Sequence, residues 1–187
     1  KRIACVAVIG MHNETGVLNP VADLAAAARA REIPFLSDLI QAAGKIPLET
    51  DACDGFVING HKFGAGFGAA AVIIRGRRAK PLFRGGLQED ERRAGTENLA
   101  AIGSMADALE FQLSVLKEKN ERTRRFQLRI EEYFVNECGA KIAAQNEKRS
   151  GNTTFAVFPR AANMDFLLMG LDRAGIVVST GSSCKSR

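Results

Sequence analysis

Short runs rich in β-branched and aromatic residues, with a helical stretch between the first two, constrain this chain more than any other feature. Residues 3–9 (IACVAVI), 33–36 (IPFL, running into Ser37 and Asp38) and 54–58 (DGFVI) each fit a buried strand, because such side chains suit a pleated surface. Residues 21–31 are alanine-rich and helical, introduced by Asn19 and Pro20, which suit an N-cap and a first turn. Strand–helix–strand alternation is the pattern of a mostly parallel sheet covered by helices, so the expected fold class is α/β. A fourth apolar run, Ala70–Ile74, follows the third after a short connection and is expected to be antiparallel to it.

The second half changes character. Residues 82–96 lack periodicity and read as a long loop, a feature that is usually functional or disordered inside a compact domain. From Leu99 the apolar positions Ile102, Ala106, Leu109, Leu113 and Leu116 recur at spacings of three and four, which predicts an amphipathic helix. The charged stretch 117–125 (KEKNERTRR) is expected to break it. A second helix then carries Phe126, Ile130, Tyr133, Phe134 and Cys138 and is closed by Gly139. Beyond this bridge, residues 153–158 and 176–179 read as strands and 164–174 as a helix. The expected division is therefore a large-domain portion, 1–120, and the start of a smaller α+β domain, 121–187.

Bulk properties exclude several classes. With 46% hydrophobic and 25% charged residues, the chain resembles neither a disordered nor a membrane protein, and its apolar stretches stay below the roughly 18–20 residues that span a bilayer. Lys1 and Arg2 lead straight into a strand-like run, so no secretory signal is read there. The net charge of +5 is dispersed among glutamates and comes without aromatic interleaving, so it is read as solvated helix faces and anion contacts, with no nucleic-acid partner. Cys5, Cys53, Cys138 and Cys184 have no zinc-binding spacing, and no metal site is expected. Cys5 and Cys138 lie in apolar patterns and are expected to be buried thiols of a reducing cytoplasm. Cys184 stands apart in a Gly/Ser-rich segment.

One stretch carries chemistry. In residues 54–68 (DGFVINGHKFGAGFG) an apolar strand delivers His61 and Lys62 into a segment holding Gly64, Gly66 and Gly68. A lysine at the end of such a strand is either a solvated turn residue or a desolvated amine suited to Schiff-base chemistry. Asp38, set among Phe35, Leu36, Leu39 and Ile40, is either a helix N-cap or the partner of a buried cation. The polar loop HNETG after the first strand lies where α/β sheets place ligands. Arg92, Arg93, Gly95 and Thr96 offer cations, a free backbone N–H and a hydroxyl to an anion; otherwise the loop is solvated and Thr96 caps a helix.

Five segments stand in one order: HNETGV, SDLIQAAGKIPL, GHKFGAGFGA, RAGTENLAAIGSMADAL and STGSSC. This series resembles the cysteine desulfurases, the NifS/IscS-like branch of the class-V pyridoxal-phosphate-dependent aminotransferases. The resemblance covers almost the whole chain and implies a fold-type I architecture. Members are about twice as long, so the resemblance also implies that this is an internal piece of a longer protein, inactive in isolation. It lacks a counterpart of the family's Gly-Ala-Thr-Glu phosphate-binding stretch and of its C-terminal carboxylate-binding arginine.

The resemblance implies roles by motif. Lys62 would form the Schiff base with pyridoxal 5′-phosphate and shuttle the substrate α-proton, its deprotonation favoured by desolvation. Asp38 would pair with the pyridine nitrogen, Gln41 and Asn13 would donate to the phenolic oxygen, and His61 would bind the phosphate. Thr96 would reach the phosphate of a neighbouring subunit, which implies a homodimer. Cys184 would accept sulfur from L-cysteine as a persulfide, release L-alanine, and pass the sulfur to an iron–sulfur scaffold or a tRNA-thiolation enzyme. Two positions depart from the pattern: His12 replaces the first Asn of Asn-Asn-Glu, and Asn59 stands where a phosphate-contacting Ser is common. The alternatives are a selenocysteine lyase or related class-V aminotransferase, and a non-catalytic persulfide carrier. Lys62 together with Asp38 speaks against a carrier.

Overall fold

A computed structural model of the chain describes residues 3–76, 80–159 and 164–180. It contains two compact units: residues 1–11 with 19–119, and residues 12–18 with 120–187.

The first unit is built on a four-stranded sheet in sequential order, with β1 (Val6–Ile9), β2 (Phe35–Asp38), β3 (Gly55–Asn59) and β4 (Ala70–Ile74). The first three strands are parallel and β4 is antiparallel to β3, as the alternation and the short connection predict. The crossover is α1 (Val21–Arg29), whose Ala25 and Ala28 let it lie close over Phe35 and Cys53, with Val6, Val8 and Phe56 packed around them. Asp54 Oδ2 accepts from the Phe35 N–H at 2.8 Å, tying the start of β3 to the start of β2.

The other face of the sheet is open. β1 begins only at Val6, and Ile9 and Leu36 are exposed, as are Val72 and Ile74 on β4. The expectation of fully buried strands is corrected: α1 covers one side of the pleat, and alternate residues face away from it. Cys5 and Cys138 are also exposed, contrary to expectation; Cys5 precedes β1 and Cys138 follows the end of a helix, while Cys53 is buried. Burial pushes the Cys53 thiol pKa up.

Residues 82–96 form a loop broken by one tight turn, α2 (Gln88–Glu91), with left-handed angles at Glu89 and Asp90. Helix α3 (Leu99–Ser114) follows, capped by Asn98, whose Oδ1 accepts from the Ala101 N–H. Asn98 takes the capping position that Thr96 was expected to fill. The apolar stripe read from the sequence is partly misplaced: Leu99, Ile102 and Leu113 are exposed, and Ala101 and Met105 are the buried residues. The reason is a close approach, since this helix packs on a glycine-rich turn where small or flexible side chains fit.

The charged stretch 117–125 does not interrupt helical structure. It lies within α4 (Leu116–Asn136), and the break falls one residue earlier, at Val115. Lys, Glu and Arg are good helix formers, and the Glu118–Arg122 and Glu121–Arg125 spacings favour a helix. Gly139 takes φ +63°, the left-handed conformation expected after a helix end.

In the second unit, β5 (Lys141–Ile142) pairs antiparallel with β6 (Ala156–Val157), and α5 spans Met164–Arg173. Of the strand expected over 153–158, only Ala156–Val157 is paired. Residues 176–179 are not a strand; they have no ladder partner among the described residues, and Val177 is 89% exposed. The polar heart of this unit is an ion pair. Arg149 Nη1 and Nη2 donate to the two carboxylate oxygens of Glu131 at 2.8 Å each, and Thr154 Oγ1 donates to Oε1 at 2.9 Å. Among the described residues no single helix is long and apolar enough to cross a membrane.

Candidate active site at the carboxyl edge of the sheet

Parallel pairing brings Ile9 beside Asp38 and Asp38 beside Val57, so β1, β2 and β3 end at one edge, where open α/β sheets bind ligands. Gly10, just beyond β1, donates its N–H to the Asp38 carbonyl at 2.8 Å. A Cβ at Gly10 would sit 2.5 Å from Leu39 Cδ2, so a larger residue there would require the Leu39 side chain to move.

Asp38 is half-buried. Its Oδ1 accepts from the Ile40 N–H at 2.9 Å, so it holds a turn and not the helix start read from the sequence, since no helix directly follows β2, and Oδ2 is left for another partner. The tight turns that follow carry Gln41, whose Oε1 accepts from Lys45 Nζ at 2.9 Å. They close at Gly44, with φ +68°. There an added Cβ would lie 2.9 Å from Phe63 Cβ and 3.0 Å from Gln112 Cβ. Gly44→Ala is therefore expected to cost about 1–3 kcal/mol, through a left-handed β-carbon and overpacking together. A urea-denaturation midpoint equal to that of the parent would contradict this packing.

The second wall of the site follows β3. Asn59 caps the 3₁₀ turn Gly60–Lys62, its Oδ1 accepting from the His61 N–H at 3.4 Å and lying 2.6 Å from His61 Nδ1. An amide oxygen only accepts, so Nδ1 carries a proton and Nε2 is the free ring nitrogen. His61 also stacks on Phe67, with ring centroids 5.7 Å apart. The turn is anchored on α3: Ser104 Oγ accepts from the Gly66 N–H at 3.2 Å, and a Cβ at Gly60 would meet Ala65 at 3.0 Å and Met105 at 3.3 Å.

Lys62 itself is exposed, as is His61. The desolvation that the sequence reading required of Lys62 is thus not supplied by the described residues. Lys45, by contrast, is half-buried. Burial first, and then the charges of Lys62 and Lys119, lower its pKa. A shallow depression of ≈ 310 Å³ lies over the open sheet face, lined by Ile9, Leu36, Asp38, Val57, Val72 and Ile74 among others. Neither His61 nor Lys62 lines it; Asp38 is the residue it shares with the strand-end site.

The family model for class-V aminotransferases matches residues 1–186. The chain belongs to the class-V aminotransferase family. It is similar to a cysteine desulfurase of Gluconacetobacter diazotrophicus, 38% identical over 189 residues, covering 99% of this chain and 47% of the relative. It is also similar to the cysteine desulfurase IscS of Dictyoglomus turgidum, 35% identical over 97% of this chain and 47% of the relative. Among solved structures, a NifS-like protein from Rickettsia africae superposes with TM-score 0.88 at 32% identity, over 95% of this chain and 50% of that one. The architecture is thus that of the NifS-like fold-type I enzymes, and the chain spans about half the length of the curated relatives it matches.

Class-V aminotransferases use pyridoxal phosphate, and the donor set of the first unit suits that group. It offers a carboxylate oxygen at Asp38, a carboxamide at Gln41, an imidazole at His61 and an amine at Lys62, all on segments leaving β2 and β3 at one edge. Thr96, also in this unit, is exposed, and the Gly95 N–H expected to be free for an anion donates to Gln88 Oε1 at 3.3 Å. Arg93 lies 4.8 Å over the Phe83 ring.

Asn13 is in the second unit, exposed, in a turn held by the substituted residue. His12 Nδ1 accepts from the Glu14 and Thr15 N–H groups at 3.3 and 3.2 Å, which is the capping work an asparagine oxygen does. His12 therefore holds this turn itself. Cys184 lies outside the described residues. Among the described residues there is no group of three or more His, Cys, Asp or Glu placed to hold a metal.

Two orienting residues escaped the sequence reading of their roles. Lys45 stands four positions after Gln41, the spacing of side chains that meet on a helical turn, and this could have flagged it. Asn59 was read only as a phosphate contact, whereas its oxygen serves His61.

Proposed function

We propose that the whole protein is a cysteine desulfurase that removes sulfur from L-cysteine, leaving L-alanine and a persulfide on Cys184. The observation that supports this reading most is the convergence of Asp38, Gln41, His61 and Lys62 at one sheet edge. When bound there, pyridoxal phosphate supplies an electron sink for charge developing at the substrate α-carbon. Asp38 holds the pyridine N–H with the carboxylate oxygen that Ile40 leaves free. Gln41 would donate to the phenolic oxygen, and His61, oriented by Asn59, would hold the phosphate through Nε2–H when its ring carries both protons. Lys62 Nζ takes the proton from the α-carbon and returns a proton to the alanine product.

Cys184 Sγ, as thiolate, attacks the substrate sulfur. An S–S bond forms, the C–S bond breaks, and its electron pair passes to the former cysteine β-carbon, which is protonated to the alanine methyl. Cysteine and one enzyme thiol thereby become alanine and one enzyme persulfide, with no outside oxidant. The persulfide passes to an acceptor thiol, on an iron–sulfur scaffold or a tRNA-thiolation enzyme, in the cytoplasm, where thiols remain reduced. Thr96 serves the phosphate of a second subunit, so the active form is a homodimer. Residues beyond this half of the family's length complete the site and exclude water from Lys62.

The full-length polypeptide supplied with pyridoxal phosphate and L-cysteine is expected to form alanine and, with a reducing thiol present, sulfide in equal amounts. Cys184→Ala keeps the visible band of the bound cofactor and loses sulfur release; undiminished release from that variant would sink the assignment of Cys184.

A further inference from the structure

The Gln41 carboxamide has two chemically opposite ends, and the structure commits one of them. Oε1 accepts from Lys45 Nζ at 2.9 Å. An ammonium has three protons and no lone pair to offer, so only the oxygen can face it, and the NH₂ group, with two donors, is the end left for a ligand.

Lys45 is placed to hold that end. It follows Gly44, whose α-carbon is wedged against Phe63 and Gln112, so the backbone that carries it is fixed by packing on α3. It is half-buried and makes no ion pair among the described residues. Burial and two neighbouring lysines disfavour its charge. A cation in that setting is costly unless a strong acceptor meets it, and the Gln41 oxygen is the acceptor it finds.

We propose that Lys45 is a positioning residue: by holding the Gln41 oxygen it fixes the carboxamide so that its NH₂ group is the donor to the cofactor's phenolic oxygen. This rests on reading the site as a pyridoxal-phosphate site. The pairing matters because the two faces of an amide have opposite effects. A donor at the phenolic oxygen favours its deprotonated form, whereas a flipped amide sets lone pair against lone pair.

The test is the pH at which the visible band of the bound cofactor titrates in the full-length protein. Lys45→Met keeps the length of the side chain and removes the donor. It is expected to move the titration upward by about one to two pH units, the size of a hydrogen bond to a charged group. Gln41→Ala is expected to give a similar shift, and the double variant no more than Gln41→Ala alone, because the two residues act as one device. Lys45→Arg restores most of the parent behaviour, since a guanidinium also only donates. A thermal unfolding midpoint at or above that of the parent separates the effect from misfolding. Titration of Lys45→Met at the parent pH overturns the proposal, as does full addition of the two single effects, or no shift in Gln41→Ala. Absence of a visible band in the parent, or its survival in Lys62→Ala, overturns the reading of the site itself, and the proposal with it.

Discussion

Lys62→Ala in the full-length protein is expected to remove the covalent attachment of pyridoxal phosphate and to reduce alanine formation from L-cysteine by at least about 10²–10⁴-fold, the range for loss of a positioned acid–base group. The expectation starts from backbone geometry. β3 ends at Asn59, a 3₁₀ turn carries Gly60–Lys62 with Met105 of α3 against Gly60, and Ser104 of α3 holds Gly66 beyond it. Lys62 is the amine this scaffold presents at the edge where Asp38 ends β2. Borohydride reduction of the loaded parent followed by peptide mass analysis is expected to find the cofactor on the Lys62 peptide, and Lys62→Ala is expected to carry none. Cofactor trapped on Lys45 would transfer the covalent role to the half-buried amine and refute the assignment.

The largest effect on stability is expected in the second unit, at Glu131. Its side chain is 5% exposed and that of Arg149 only 1%, and the two form a bidentate pair further supported by Thr154. Glu131→Ala leaves a buried guanidinium uncompensated and is expected to destabilise the unit by about 3–5 kcal/mol. Replacing both residues by apolar ones of similar volume is expected to recover most of that loss, because the pair is costly to break and much less costly to remove. Burial alone would raise the Glu131 pKa; the hydrogen bonds from Arg149 and Thr154, with the guanidinium charge, outweigh it and hold the carboxyl below its ordinary value of 4.5. A lowered folded pKa means that the contribution is fully present above the unfolded pKa and is lost as pH falls through the folded one. Acid unfolding of the parent should therefore show a loss of stability below about pH 4.5 that Glu131→Gln lacks. Identical acid profiles would refute this account.

Much of the fold was legible because the first unit obeys local rules. Alternation of apolar runs with an alanine-rich helix requires a crossover, and a short connection requires an antiparallel neighbour; both are observed in β1–β4. Burial was less legible. Ile9 and Leu36 carry the same residue types as Val8 and Phe35, and only the pleat decides which of them meets α1. Leu99 and Ile102 suggested the packed face of α3, yet it is Met105 that approaches Gly60 and Ala101 that approaches Gly68, because close approach favours small or flexible side chains over large ones. Residues 117–125 looked like a break because they are charged, whereas charge at helical spacing supports a helix.

The candidate site was legible as a set of residue types in order, three of which, Asp38, His61 and Lys62, lie at or just beyond the ends of β2 and β3. What escaped was their orientation. Which end of Gln41 or Asn59 is free depends on Lys45 and His61, and such choices are settled by hydrogen bonding in three dimensions. His12, which looked like a departure from the family pattern, holds its own turn by accepting the Glu14 and Thr15 N–H groups.

β2 is four residues long, and its alternation acts as a parity check on the chemistry. Phe35 and Ser37 are buried on the α1 side, with Ser37 Oγ donating to the Val8 carbonyl at 3.1 Å, while Leu36 and Asp38 share the opposite side. An odd shift of register would place the carboxylate beneath α1 and a hydroxyl at the open edge; an even shift would leave the chemistry on the correct side but displaced along the strand. The hydrophobic demand of Phe35 for the interior thus also selects which side receives Asp38. In this strand, the requirement that makes the protein fold is the one that sets its acid on the open side of the sheet.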